Sequence, residues 1–194
     1  SVPLLAHFGR EHRGLKLTVS RGATALLLQS LRDRTLDVLV LDVRSVAPSA
    51  DLALEMLPEM RGAFLCRAGH PLARRKRVTF DMMSGYPIAS SPLSDDVARM
   101  LVEDFGARGH PLELVALRCD DLESLLQATL ASDAIYLGIA AAARRYLADR
   151  SLVHVRLDPP FRRTARFAIV TLAGRTPPPV LPLTLEFVRS QMRD

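Results

Sequence analysis

The stretch LKLTVSRGATALLLQSLRDRTLDVLVLD, from Leu15 to Asp42, constrains the fold more than any other part of the chain. Leu15, Leu17 and Val19 alternate with Lys16, Thr18 and Ser20, which is the period of a strand. Arg21-Gly22-Ala23 turns the chain, and Thr24 is expected to begin a helix by capping it with its hydroxyl. Leu27, Leu28 and Leu31 then recur at helical spacing, while Gln29, Arg32 and Asp33 face water. Val38-Leu39-Val40-Leu41 is an apolar run too short for a helix, and it suits a parallel strand buried on both faces. Strand, turn, helix and strand make a right-handed βαβ unit of the usual size of about thirty residues. Ligands of open α/β sheets gather beyond the carboxyl ends of the strands, which singles out the loops 21–24 and 42–45.

The remainder continues in the same alternation. Residues 2–12 carry Leu4, Leu5 and Phe8 on one face of an amphipathic helix that Ser1 can cap. A chain that opens on a helix feeding a strand is expected to be part of something longer, because an α/β domain normally places a strand first. Strands are expected at 52–57 and 63–67, then a short helix 80–83 capped by Thr79, then a strand 86–90 running into Ser90-Ser91-Pro92. Ser94-Asp95-Asp96 is a strong helix start, with Val97, Met100, Leu101 and Phe105 as its stripe and Gly106 and Gly109 to end it. A strand at 112–117 follows, then a helix capped by Asp120 or Asp121 with Leu122, Leu125, Leu126 and Leu130 inside. Residues 134–137 read as a strand, 139–147 as a helix, 152–157 and 166–172 as strands, and Leu183, Phe187 and Val188 mark a last helix. This is the pattern of two α/β lobes, with a chain that crosses to the second lobe and returns.

Composition excludes several classes. The 194 residues are 48% hydrophobic, enough for a core. No apolar run reaches the roughly eighteen residues of a membrane span, and residues 1–12 lack the features of a signal peptide. The net charge is +5, from 26 Lys+Arg against 21 Asp+Glu. The arginines are scattered except in Arg74-Arg75-Lys76-Arg77, and aromatics are 5%, so a solvated surface fits better than a nucleic-acid interface. Cys66 and Cys119 form neither a metal motif nor a disulfide framework and suit a reducing cytoplasm. None of the phosphate-loop, dinucleotide, nucleophile-elbow, zinc-protease or redox motifs is present, and the five histidines lack ligand spacing. An enzyme on this scaffold would have hydroxyls, Asp42 and Cys119 to work with and no histidine partner. The expectation is therefore a binding domain with no enzymatic activity, no metal and no cofactor.

The hydroxyl loops are the candidates for that binding. Thr24 and Ser94 stand at helix starts, where free N–H groups and the dipole hold anions. Each alone is a structural cap, whereas two such loops facing each other across a cleft make a ligand site.

The order helix, strand, hydroxyl turn, helix and the strand ending Leu41-Asp42 is followed by Gly69-His70-Pro71-Leu72-Ala73. Next come Tyr86-Pro87-Ile88-Ala89-Ser90-Ser91 and a helix that runs into Ala131-Ser132-Asp133-Ala134-Ile135-Tyr136-Leu137-Gly138. Together these resemble the effector-binding domain of LysR-type transcriptional regulators. The resemblance implies a type II periplasmic-binding-protein-like fold: two Rossmann-like α/β lobes joined by crossing strands, with a small effector in the cleft. Lobe I would be 1–63 plus 161–194, and lobe II 64–160. Effector contacts carry over to Ser1, Thr24, Asp42, Ser90 and Ser91, with Cys119 and Asp120 as weaker matches. Tyr136 would line or occlude the cleft. Residues 131–138 lack both glycines and the proline that the family usually has there. Asp42 replaces a commonly small or neutral residue: it would favour an amine or hydroxyl on the ligand, or would pair with Arg44 or Arg118. The implied partners are a small-molecule effector bearing a carboxylate or an amine, and further copies of the chain in a dimer or tetramer through helices 2–12 and 97–105. Operator DNA would be reached only through a winged helix-turn-helix domain that this stretch does not contain. No membrane is involved. The rival reading is the solute-binding protein of a transporter, which shares the fold.

Overall fold

The computed structural model describes residues 2–12 and 14–192. In chain order the elements are α1 (Val2–Glu11), α2 (Thr24–Arg32), β1 (Leu39–Asp42), β2 (Leu52–Met56), β3 (Met60–Arg67), α3 (Phe80–Met83), β4 (Ile88–Ser90), α4 (Asp95–Phe105), α5 (Pro111–Leu114), β5 (Val115–Arg118), α6 (Leu122–Ala131), β6 (Ile135–Ile139), α7 (Arg144–Ala148), β7 (Leu152–His154), β8 (Thr164–Ala165), β9 (Phe167–Leu172) and α8 (Leu181–Gln191). They fall into two units, and the expected pair of α/β lobes is present. Unit 1 holds the residues up to Pro58 and those from Phe167 onward, and unit 2 is Glu59–Arg166. The chain leaves unit 1 between β2 and β3 and returns between β8 and β9.

Unit 1 is built on β9. Its sheet has the order β1-β9-β2, and β9 runs antiparallel to both neighbours, with Leu41 opposite Ala168 and Leu54 opposite Val170. Ala168, Ile169 and Val170 are fully buried because the central strand is covered on both faces. The α2 stripe of Leu27, Leu28 and Leu31 packs with Leu39, Leu41 and Leu52. Helix α1 meets α8 through the His7 ring, which stacks on Phe187 at 4.8 Å.

Two expectations about this unit are corrected. Residues 15–20 form no strand, and they bridge to no described residue. Their alternation marks which side chains share a face, but a strand exists only where a neighbour completes its hydrogen bonds. The opening βαβ unit is therefore absent: β1 pairs antiparallel with β9 and is buried on one face only, with Leu39 and Leu41 inside and Val40 37% exposed.

Unit 2 contains a mixed sheet with three parallel strands. The order is β5-β4-β6-β3-β7, with β8 also paired to β3. Strand β4 is parallel to β5 and to β6, while β3 is antiparallel to β6 and to β7. Alternate residues of one strand go to different cores. Phe64 and Cys66 of β3, Ile88 of β4 and Leu137 of β6 join Leu101 of α4 on one face. Ala63 and Leu65, Ala89 and Tyr136 join Leu125 and Leu126 of α6 on the other. Both faces are thus dry, which is why these strands read as unbroken apolar runs. Burial pushes the Cys66 thiol up to about 11, so it packs as an inert small hydrophobe.

The strand expected at 112–117 is instead a helical turn, 111–114, followed by β5. Pro111 occupies the first helical position, and the His110 side chain accepts from the Leu112 amide. Two glycines offer contrasting tests. A Cβ at Gly109 would lie 2.3 Å from the Leu101 carbonyl oxygen, which is helix backbone and cannot yield, whereas one at Gly9, inside α1, would meet nothing within 4 Å. Urea unfolding should show Gly109→Ala destabilised by about 1–3 kcal/mol. Gly9→Ala should be stabilised by about 0.5–1 kcal/mol, because the helix gains a better former.

Candidate functional site

In unit 2 the parallel strands β4, β5 and β6 bring three chain segments to one edge of the sheet: Ser90-Ser91, Cys119-Asp120 and Gly138-Ile139. Ser90 is fully buried, and its hydroxyl donates to the Leu137 carbonyl at 2.9 Å. Its own carbonyl accepts from the Cys119 amide at 3.4 Å. Ser91 is half-buried, and its hydroxyl takes no hydrogen bond among the described residues. Ser94 caps α4, accepting from the Val97 amide, with Asp95 and Asp96 in the first turn as the dipole favours. At the next loop Asp121 is the cap of α6, accepting from the amide and hydroxyl of Ser124 at 2.9 and 2.6 Å. The half-buried Cys119 accepts from the Asp121 amide through sulfur at 3.4 Å. Asp120 is exposed and without a partner among the described residues.

Tyr136 lies inside the unit, 3% exposed. Its ring folds along its own strand over Gly138, where a Cβ would fall 2.0 Å from the phenol oxygen. Only glycine leaves that space. Burial pushes the phenol up to about 12, against an opposing hydrogen bond from the Ile139 backbone, so the hydroxyl stays neutral.

The loop before β6 turns without glycine. Ser132, which ends α6, is extended, and Arg67 reaches across to it. The guanidinium donates to the Ser132 carbonyl at 3.1 Å and pairs with the Asp133 carboxylate at 2.7 Å. His70 completes the clamp. It is 3% exposed, its Nδ1 accepts from the Leu72 amide at 3.0 Å, and Nε2 lies 3.2 Å from the Asp133 carbonyl. An accepting Nδ1 requires the proton on Nε2, so the neutral ring uses both nitrogens. His70 is thus more than the turn residue that its place before Pro71 suggests.

In unit 1 the corresponding edge joins the start of α2 to the end of β1. Ala23 occupies the cap position with no side-chain bond, and Thr24 is the first helical residue, which corrects its expected capping role. Its hydroxyl is 3.4 Å from Ser45 Oγ, and Ser45 Oγ donates to the Asp42 carbonyl at 2.7 Å. The Asp42 carboxylate accepts from the Arg44 amide, Nε and Nη2, each at 3.0 Å. Of the pairings left open, Arg44 is the partner, and Arg118 instead donates to the Pro111 carbonyl. Ser45 falls in the loop 42–45 that the sequence singles out, but it is not among the contacts the resemblance implies. Its signal was its place three residues after the strand-terminal Asp42. Ser1 lies outside the described residues. No group of three or more His, Cys, Asp or Glu able to hold a metal occurs among the described residues. No helix there is long and apolar enough to cross a membrane.

The family described as LysR substrate binding domain matches residues 1–193. The chain is 28% identical over 175 residues to the SDS degradation transcriptional activation protein of a Pseudomonas species, covering 89% of this chain and 56% of that relative. The chain therefore spans little more than half the length of that regulator. Among solved structures it is similar to HinK, a LysR family transcriptional regulator from Pseudomonas aeruginosa. The TM-score is 0.68 at 18% identity, over 99% of this chain and 64% of that one. It is also similar to the CcmR regulatory domain of Synechocystis PCC6803 in complex with 2-PG, with a TM-score of 0.65 at 16% identity over 98% and 90%. These likenesses establish the fold. None of the three is described as a transporter protein.

The neutral His70 gives unit 2 a pH response. Burial pushes its pKa down from 6.5. Below about 6.5 the unfolded chain takes up a proton that the folded chain refuses, so stability is lost as the pH falls through the depressed folded value. Urea unfolding at about pH 7.5 and about pH 5.5 should show this loss, and it should be smaller in His70→Gln.

Proposed function

Since the chain belongs to the LysR substrate binding domain family, we propose that it is the effector-sensing part of a LysR-type transcriptional regulator. The match over residues 1–193 carries this reading. A small molecule binds, and the change is passed to a DNA-binding domain of the same protein, which alone contacts the operator. Coupling of this kind needs only about 1–3 kcal/mol between two sites. The domain performs no chemistry and works in the cytoplasm. Copies of the chain associate, and the exposed Leu5 of α1 and the exposed Leu117 on the edge strand β5 support this.

Effector contacts fall to the strand-end loops of each unit. In unit 1 they are Thr24, Ser45 and the Asp42–Arg44 pair. In unit 2 they are Ser91, Asp120 and Cys119. Ser91 supplies the hydroxyl of its loop, because the Ser90 hydroxyl is engaged with Leu137. Ser90 and Tyr136 shape the site from beneath, and Ser1 remains an assigned contact. The Asp42 carboxylate is matched by Arg44, so the loop presents hydroxyls and a neutral pair. That favours a ligand offering hydroxyl, amide or zwitterionic groups over a simple monoanion.

A thermal-shift screen of hydroxy acids, amino acids, aromatic acids and alkyl sulfates tests this reading. A true effector at about a hundred times its Kd stabilises by about 2.7 kcal/mol. Thr24→Ala or Ser91→Ala should weaken the hit by about two- to tenfold, the worth of one hydrogen bond. If both variants bind it as the parent chain does, these loops are not the site.

A further inference from the structure

Unit 2 contains a cavity of about 360 Å³ that none of the strand-end loops touches. It lies among the start of α3, the end of α4 and residues 157–159. Its apolar lining is Phe80, Phe105, Leu157 and Pro159. Phe80 stacks on Phe105 with ring centres 4.6 Å apart and planes 15° from parallel. The volume is in the range that holds a small organic molecule, roughly 300–1,000 Å³.

We propose that this cavity binds a small amphipathic organic cation, an ammonium group carried on an aromatic or alkyl body.

Two features set the sign of the charge, and the aromatic lining agrees with it. The lining carries the carboxylates of Asp81, Asp104 and Asp158 against the single guanidinium of Arg108. Helix α4 ends here, and its last turn contains acids and no base, so Glu103 and Asp104 add to the negative end of the dipole. The aromatic lining already attracts one cation, for the Arg108 guanidinium carbon sits 5.4 Å from the centre of the Phe80 ring that Phe105 stacks against. The carboxylates have partners, Asp81 with Arg108, Asp104 with Arg163, and Asp158 with Arg77. Arg77 and Arg163 stand outside the lining, and Arg163 is shared with Glu103. Arg77 and Arg108 are largely exposed, and such pairs hold a carboxylate weakly. Each carboxylate keeps lone pairs for a second donor. An ammonium can therefore join these pairs without displacing an arginine, while its apolar body lies along Leu157 and Pro159 beside the Phe80–Phe105 stack.

The chain is titrated with phenethylamine, 2-phenylethanol and 3-phenylpropanoate, which share a ring and a two-carbon linker and differ in charge. Amide and methyl chemical shifts report the site. Phenethylamine should give saturable shifts centred on Phe80, Phe105 and Leu157, the alcohol weaker ones and the carboxylate none there. Asp104→Asn should weaken the amine about tenfold through the lost charge-assisted bond, and Phe80→Leu about fivefold through the lost aromatic wall beside the ligand body. A thermal melt checks each variant; should one fail to fold, the other decides. Carboxylate binding as tight as amine binding overturns the proposal, and so do an amine affinity unchanged in both variants and the lack of saturable shifts at millimolar amine. Shifts centred on the loops around Thr24 or Ser91 overturn it too. The effector assignment stands or falls separately, because it is read at those loops.

Discussion

Ser90 ties together the three parallel strands of unit 2. Its hydroxyl donates to the Leu137 carbonyl of β6, and its own carbonyl accepts from Cys119 at the end of β5. Water does not reach this point, so removing the hydroxyl would leave a buried carbonyl without its donor, a loss of about 1–3 kcal/mol. The strands it joins are covered by α4 on one face and α6 on the other. A sheet that is dry on both faces can meet a ligand only at its strand ends. Ser91 and Asp120 lie there, one step beyond Ser90 and Cys119, which hold the strand ends together. The hydroxyl that holds the strand ends and the hydroxyl without a partner among the described residues are therefore adjacent in the chain.

Unit 1 reaches a similar outcome through a different construction. Its central strand comes from the far end of the sequence: Ala168 and Val170 pair with residues near 40 and near 54. Neither β1 nor β2 has a described neighbour other than β9, so this unit cannot form until the chain has passed through unit 2 and returned. Its strand-end loop is also built inward. Thr24, Ser45 and the Asp42 carbonyl form a chain of hydroxyl contacts, and Arg44 folds back on the carboxylate two residues before it.

Much of this is legible in the sequence because it depends on local geometry. Thr79, Ser94 and Asp121 cap the helices that their spacing announces. The apolar runs of β4 and β6 mark strands buried on both faces, and Gly69-His70-Pro71-Leu72 marks a turn. What escapes is what depends on distant partners. Residues 15–20 have the alternation of a strand, but alternation does not supply a neighbour. Ser90 and Ser91 are indistinguishable until Leu137, 47 positions on, claims one hydroxyl. Tyr136 reads as a residue that lines or blocks a cleft, yet Gly138 two positions later leaves room for the ring to lie inside the unit. His70 has no visible role until Asp133 offers its carbonyl.

The charges follow the same division. A chain of net charge +5 rich in arginine invites a reading as a basic surface, but the arginines are used in pairs. Arg67 holds Asp133, Arg163 holds the end of α4 through Glu103 and Asp104, and Arg189 of α8 holds Glu55 of β2. At the surface each such pair contributes only about 0–1 kcal/mol, so they fix geometry more than they add stability. Compared with these pairs, Asp42–Arg44 is more withdrawn from water, with side chains 21% and 13% exposed. Its attraction is correspondingly less screened. It sits at the strand end where a ligand-binding α/β unit places its recognition groups. A charge pair hidden at that position offsets one charge with the other, so what this strand end presents is set by hydrogen-bond geometry more than by net charge.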